Sequence, residues 1–230
     1  MRTANAGSVK SLESQTSDMV TSVWVVRHGQ RRDTVDPDFE SYADRIHDPD
    51  LTELGRWQAW RVGRRFAENG VGFDAVYASP FLRTVQTADE ICREIGRTVR
   101  LEPGLGEHRN PEWFDSDPET ASHEDLADWF ETVRLDHDPV VNPEFPEHHE
   151  EAERRAGEAA RELVETIRMD GVDTGNVLLV GHGLTVGGVA SGLVGSTEGI
   201  EAPLCGITRI DWDGDTWELA FSGDTDHLSE

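Results

Sequence analysis

Val23-Trp24-Val25-Val26-Arg27-His28-Gly29-Gln30 is the stretch that decides how this chain is read. Its β-branched and aromatic half reads as a short buried strand. The strand runs straight into Arg27-His28-Gly29, so an arginine and a histidine stand where strand gives way to loop. In an open α/β sheet, ligands bind just outside the carboxyl ends of the strands. A guanidinium there suits phosphate, because its planar fork binds two oxygens at once. A neutral imidazole beside it can attack phosphorus, since an unperturbed histidine titrates near about 6.5.

One tripeptide occurs by chance, and a lone histidine is more often structural than catalytic. Three further segments supply the missing parts. Ser79-Pro80-Phe81-Leu82-Arg83 offers a second arginine, Leu105-Gly106-Glu107-His108 a carboxylic acid, and Val180-Gly181-His182-Gly183 a second histidine at a second strand end. Together they make a nucleophile, two guanidinium clamps, a second imidazole and a proton donor.

This set resembles the histidine phosphatase superfamily, also called the phosphoglycerate-mutase-like family. The matching segments run from Val23 to His182. Leu51-Thr52-Glu53-Leu54-Gly55 with Gln58-Ala59 resembles the family's first-helix signature, and Gln86-Thr87-Ala88 follows Arg83 as the family pattern has it. The stretch from Gly29 to Leu51, and that from Leu101 to Glu107, are most similar to the phosphatase branch that includes eukaryotic suppressors of T-cell signalling. The resemblance implies a phosphohistidine on His28, phosphoryl oxygens gripped by Arg27, Arg83 and His182, and Glu107 as general acid and base. It implies no cofactor and no metal. Glu102, Glu112, Asp115 and Asp117 are the neighbouring carboxylates that could replace Glu107, with Asp115 next in line.

Two departures from the family's mutases leave the substrate open. Those mutases follow Arg-His-Gly with Glu-Ser/Thr-x-Trp-Asn, whereas this chain has Gln30-Arg31-Arg32-Asp33-Thr34. Their Glu-Arg pair near the acid is Glu107-His108-Arg109-Asn110 here. A phosphomonoester hydrolase is therefore expected, with a mutase-type phosphoryl transferase and a catalytically silent phospho-ligand-binding protein as alternatives. Gln30, Arg31, Arg32 and Arg109 are possible substrate-binding residues; the arginines either extend the basic pocket or pair with local acids. Gly181-His182-Gly183 followed by Gly187 is also a degenerate dinucleotide fingerprint, but that fingerprint opens a first βαβ unit and this one comes late.

Composition narrows the partners. The chain has 230 residues and a formal net charge of −25, which argues against nucleic acid and anionic membranes. A small phosphorylated substrate is the expected partner; oligomeric state is not readable. Lys10 is the only lysine, and acidic excess with so little lysine resembles proteins of salt-in halophiles; the alternative is an acidic mesophile protein from a GC-rich genome, which also favours Arg over Lys. No stretch approaches the roughly 20 apolar residues of a membrane helix. With only Cys92 and Cys205, a disulfide framework is excluded and a reducing cytoplasm is expected.

The expected architecture is an α/β three-layer sandwich: a largely parallel central sheet, helices on both faces, and a cap inserted over the active site. Met1 to Asp18 reads as a disordered tail, with Met19 an alternative start, and residues 20–230 as one domain. Strands are expected over Val20–Val26, Ala75–Ala78, Thr98–Leu101 and Asn176–Val180, with a closing hairpin of Gly206–Trp212 and Thr216–Phe221. Thr52 should cap a helix to Glu68 that buries Leu51, Leu54, Ala59, Val62 and Phe66. Ser79-Pro80 should open a helix to Ile95 as its N-cap and N1 pair. Gln30 to Asp50 reads as a polar loop. Glu102 to His149 reads as the cap, with one helix near Glu124 to Val133. Amphipathic Glu150–Met169 and small-residue Leu184–Leu193 complete the helices. His108, His123, His137, His148 and His149 form no ligand pattern and are expected to face solvent.

Overall fold

The computed structural model of this chain describes residues 20–169 and 175–229; the expected tail and Met19 lie outside them. Seven strands form one sheet: β1 Ser22–Arg27, β2 Ala75–Ala78, β3 Val99–Leu101, β4 Val133–Arg134, β5 Asn176–Gly181, β6 Ile207–Trp212 and β7 Trp217–Asp224. Their spatial order is β4-β3-β2-β5-β1-β6-β7. The first five in that order run parallel to one another, and the β6–β7 hairpin adds antiparallel to β1.

β1 and β5 are near-continuous Val/Leu runs because both faces of a parallel sheet are covered. Val25 pairs with Leu179 and Val26 with Val180. Alternation then sends successive residues to opposite cores. Trp24, Val26, Leu178 and Val180 face α2 Glu53–Glu68 and α3 Leu82–Ile95. Val23, Val25, Val177 and Leu179 face α5 His149–Met169 and α6 Gly183–Val194. Two short helices, α1 Phe39–Tyr42 and α4 His123–Trp129, lie in the long connections. Trp24 packs edge-on against Phe66, Phe73 and Phe221 at 5.5–6.0 Å between ring centroids. Truncating the buried Phe66 to alanine should therefore cost about 3–5 kcal/mol. The three layers and the largely parallel sheet match the sequence expectation.

Close backbone contacts explain two glycine pairs. A Cβ on Gly29 would lie 2.4 Å from the Gly55 carbonyl oxygen, and one on Gly55 would lie 2.3 Å from that of Gln30. The loop after β1 is thus pressed onto the first turn of α2, whose Thr52 side chain caps the Gly55 N–H. On the other face, Gly157 of α5 and Gly192 of α6 meet so closely that a Cβ on either would overlap the other's backbone. The small residues of α6 therefore serve helix-to-helix packing as well as packing on the sheet.

Three local expectations need correcting. Leu54 is 47% exposed, because the buried stripe of α2 runs through Gly55, Ala59, Val62, Gly63 and Phe66 and Leu54 falls one residue out of phase. The helix placed near Glu124–Val133 ends at Trp129, and Val133 instead pairs with Val99 as a two-residue edge strand. Ser79 is not the N-cap of α3: that position is Phe81, whose side chain has no acceptor, and the serine hydroxyl lies 2.9 Å from His182 Nε2 and accepts only a long 3.4 Å bond from the Phe81 N–H.

The connection from β3 to α5 is stapled by fully buried Glu102. Its carboxylate accepts from the N–H groups of Gly104, Val140 and Val141 and contacts His137 Nε2 at 2.8 Å. Between those anchor points the chain swings Trp113 and Phe114 over the carboxyl ends of the strands. Among the described residues no helix is long and apolar enough to cross a membrane. Cys92 and Cys205 are buried and free.

Candidate active site

The carboxyl ends of four neighbouring strands converge on one cavity of about 950 Å³. β1 delivers Arg27 and His28, β5 delivers His182, β2 leads through Ser79 into the first turn of α3 and Arg83, and β3 leads through a 3-10 turn to Glu107. Arg27, His28, Arg83 and Glu107 line the cavity; His182 is fully buried immediately behind them.

His28 is 2% exposed, and its Nδ1 lies 2.8 Å from the Gly29 carbonyl oxygen. A carbonyl can only accept, so Nδ1 carries the proton and the lone pair is left on Nε2. Burial pushes the imidazole well below its ordinary pKa, and Arg83 and His182 push it further the same way. The ring is thus neutral and nucleophilic at pH 7. Gly29 donates its own N–H to Thr87 Oγ1 at 3.2 Å, which ties the loop to α3.

Both arginines hold donors in reserve. Arg27 Nη1 donates to the Ala202 carbonyl at 2.7 Å, while its buried Nε has no hydrogen-bond partner. Arg83, 1% exposed, donates from Nη2 to Glu107 Oε2 at 3.1 Å, and its Nε and Nη1 have no hydrogen-bond partner. A buried donor left unsatisfied costs about 1–3 kcal/mol. Two guanidinium groups with unused hydrogen-bonding capacity lining one cavity suit an acceptor-rich anion. Asp48 stands behind Arg83, with Oδ1 3.9 Å from Nη1, and accepts from the N–H of Leu82 at 2.6 Å.

His182 Nε2 lies 2.9 Å from Ser79 Oγ, and Nδ1 lies 3.2 Å from Glu107 Oε2. Its ring stands 5.4 Å from that of His28. Burial is the main reason its pKa falls to about 4, against a partial opposing pull from Glu107. For Glu107 burial is again the largest influence and favours the protonated form. The positive ends of His182 and Arg83 outweigh it and hold the carboxyl well below its usual range.

His28, Glu107 and His182 place one potential ligand atom each within 4.8 Å of one another, a spacing a metal ion could use. Arg27 and Arg83 bring two fixed positive charges to the same space. Like charges repel strongly where water is scarce, so the site suits a phosphoryl group better than a cation.

Of the residues proposed from the sequence to bind substrate, only Arg31 lines the cavity, where it forms an ion pair with Asp33 at 3.1 Å. Arg32 is held by Asp50 through two bonds of 2.7 and 2.8 Å, and Arg109 by Asp117. The Gln30 side chain accepts from Thr52 Oγ1 at 2.8 Å. None of these three is among the lining residues, and neither are Glu102, Glu112, Asp115 and Asp117. The expectation that the spare histidines face solvent fails for His108, which is buried with Nε2 3.0 Å from the Glu147 carbonyl, and for His137 on Glu102.

Three contributors carried no usable local signal. Ser79 resembled a helix cap, and Asp48 is one acid among many in its loop. Arg155 looked like the polar side of an amphipathic helix. It is instead buried, bound twice by Glu147, and donates to the carbonyls of Gly104, Gly106 and Glu107 at 2.8–3.2 Å. It fixes the loop that presents Glu107.

Comparison with known proteins bears on this arrangement. The family model described as histidine phosphatase superfamily (branch 1) matches residues 23–225. The chain is 29% identical to human ubiquitin-associated and SH3 domain-containing protein A, over 83% of this chain and 34% of that protein. It is 28% identical to an ecdysteroid-phosphate phosphatase of Drosophila melanogaster, over 75% of this chain and 24% of that protein. The chain thus spans 34% and 24% of the lengths of these two relatives. It is also 28% identical to a probable phosphoglycerate mutase of Erwinia tasmaniensis, over 90% and 95% of the two lengths. The crystal structure of an ecdysone phosphate phosphatase from Bombyx mori in complex with tungstate has the same fold. Its TM-score is 0.74 at 24% identity, covering 89% of this chain and 93% of that one.

Proposed function

The chain belongs to the histidine phosphatase superfamily, branch 1, and on that premise we propose that it is a metal-independent phosphomonoester hydrolase working through a phosphohistidine on His28. The observation that carries this reading is the imidazole itself. It is neutral, anchored through Nδ1–H to Gly29 so that the lone pair is left on Nε2, and it lines the same cavity as Arg27 and Arg83.

Nε2 attacks phosphorus and the bond to the ester oxygen breaks, splitting one hard displacement into two. Arg27 and Arg83 offset the charge on the non-bridging oxygens, where catalysis of phosphoryl transfer chiefly lies. His182, held by Ser79, presents its Nδ1 edge to the same group. Glu107 protonates the departing oxygen. It then takes a proton from the attacking water as the nitrogen–phosphorus bond breaks, which returns His28 to its neutral form.

Glu107 rests as the carboxylate, so its proton must arrive with the substrate. Phosphate monoesters lose their second proton near about pH 6, and the bound monoanion supplies that proton to the carboxylate. As the phosphoryl group neutralises the arginines, Glu107 loses the positive charge that kept it ionised.

Hydrolysis is favoured over mutase chemistry because Arg32, Arg109 and Gln30 are engaged elsewhere and Arg31, the one further arginine among the described lining residues, is already paired with Asp33. His28→Ala should lower kcat for p-nitrophenyl phosphate by at least about ten-thousandfold, as loss of a covalent nucleophile does in other hydrolases. Turnover within tenfold of the parent would overturn the mechanism. A parent protein with no turnover at all would point to the silent binding protein.

A further inference from the structure

The reaction described above uses only the inner end of the cavity. A phosphoryl group fills a small part of about 950 Å³, a volume at the upper end of pockets that hold drug-sized ligands. Arg31 belongs to the inner end as well, being close enough to Arg27 and Arg83 to lower the pKa of both. What remains is an outer chamber with a definite chemistry.

One wall comes from Ile46, His47 and Pro49 of the loop before α2. Trp113 and Phe114 continue that wall, and Leu184 and Leu204 also line the cavity. The rings form a connected row: His47 meets Phe114 at 4.9 Å, Phe114 meets Trp113 at 6.5 Å, and Trp113 meets His108 at 5.3 Å. Trp113 is nevertheless 58% exposed and Ile46 43%. Large apolar side chains gathered around the mouth of a reactive cleft, and not folded into a core, mark a surface awaiting an apolar partner.

The charges of the outer chamber have one sign. Asp33, Glu40 and Glu153 line it, and beyond Arg27, Arg31 and Arg83 no lysine or arginine does so among the described residues. Asp33 offsets Arg31 at 3.1 Å, and Glu153 lies 3.4 Å from His149 Nε2. A carboxylate or second phosphate on the alcohol would therefore meet acids with no cation to receive it.

Building on the phosphomonoesterase reading, we propose that this site selects phosphate monoesters of bulky, apolar, uncharged alcohols, and that its rim rejects esters bearing a second anionic group. The aromatic walls take the alcohol, the arginines take the phosphoryl group, and the acids between them set the exclusion.

The test compares esters of primary alcohols, so that leaving-group acidity does not dominate: ethyl phosphate, naphthylethyl phosphate and phosphoglycerate. The naphthylethyl ester should exceed the ethyl ester in kcat/KM by at least about thirtyfold, mostly through KM, given that even one buried methylene is worth about tenfold or more. Phosphoglycerate should not exceed ethyl phosphate. The double variant Trp113→Ala, Phe114→Ala should narrow the naphthylethyl preference to less than about fivefold, since the stacking surface is gone. Glu40→Gln with Glu153→Gln should raise kcat/KM for phosphoglycerate severalfold at low ionic strength, a gain that about 1 M salt abolishes by screening. Three esters turned over within threefold of one another, or phosphoglycerate preferred, would overturn the selectivity and leave the hydrolase standing. No turnover of these esters or of p-nitrophenyl phosphate would bring down both.

Discussion

The inner end of the cavity and its rim are built by different rules. At the inner end, Arg27, His28 and His182 sit within two residues of a strand terminus, and Arg83 in the first turn of the helix that follows another. Their positions are set by a sheet whose cores lie directly beneath them. The rim is carried by two long connections, residues 30–50 and 102–149, whose only regular elements are short. They are held by isolated polar staples such as Glu102, Asp48 and the Arg155–Glu147 pair. Rigid strand ends fix the chemistry, and loosely patterned connections are left to choose the alcohol.

The largest expected effect that sharpens this contrast concerns the acid. Glu107→Gln should slow alkyl phosphates by about a hundredfold to ten-thousandfold, the usual range for general acid–base catalysis. Activated aryl phosphates, whose leaving groups need no proton, should be slowed far less. Measured side by side, equal losses on the two classes would move the proton donor to another carboxylate.

A smaller effect tests whether the second connection is built to hold that acid. Arg155→Met leaves Glu147 buried without its partner, which should cost about 3–5 kcal/mol of stability. The double variant Arg155→Met, Glu147→Leu should regain much of that stability. If Arg155 positions Glu107, the stabilised double variant still loses alkyl phosphatase activity more than aryl activity. Recovery of both activities would reduce Arg155 to a structural role.

The same contrast explains what was legible in the sequence. Val23 to Gly29 and Val177 to Gly183 advertised strand, loop and reactive residue within a few positions, because short-range order produces them. The parallel sheet, its flanking helices and four pocket residues followed. Ser79 was misread because Ser-Pro before a helix is a common cap, and only the approach of β5 reveals His182 as its partner. β4 was missed because two residues carry no periodicity. Asp48 and Arg155 act across 34–35 and 48–51 positions of sequence, on Leu82–Arg83 and on the Gly104–Glu107 loop, and among 46 acidic residues nothing local distinguishes such contacts.

The smallest effects concern stability. Buried His28 and His182 have folded pKa values below the unfolded value, so the unfolded chain binds more protons as pH falls beneath about 6.5. Their contribution to stability is full above that pH and is lost progressively toward about pH 4, where His182 itself takes up a proton. His182→Asn should flatten this part of a melting-temperature profile. An unchanged profile would mean the imidazole is not held neutral. With a net charge of −25, the melting temperature should also rise between about 0.1 and 2 M KCl, as the Debye length shrinks from about 10 Å to a few ångströms. A flat or falling series would reject adaptation to high salt without touching the chemistry of the pocket.

The central claim is that phosphorus passes through His28. Rapid quenching of the enzyme with a phosphorus-labelled ester, under conditions that preserve phosphoramidates, tests it directly. The account predicts label on the peptide containing His28, formed before free phosphate accumulates and absent from His28→Ala. Steady hydrolysis with no protein-bound label at any time, or label on His182 in place of His28, would contradict it.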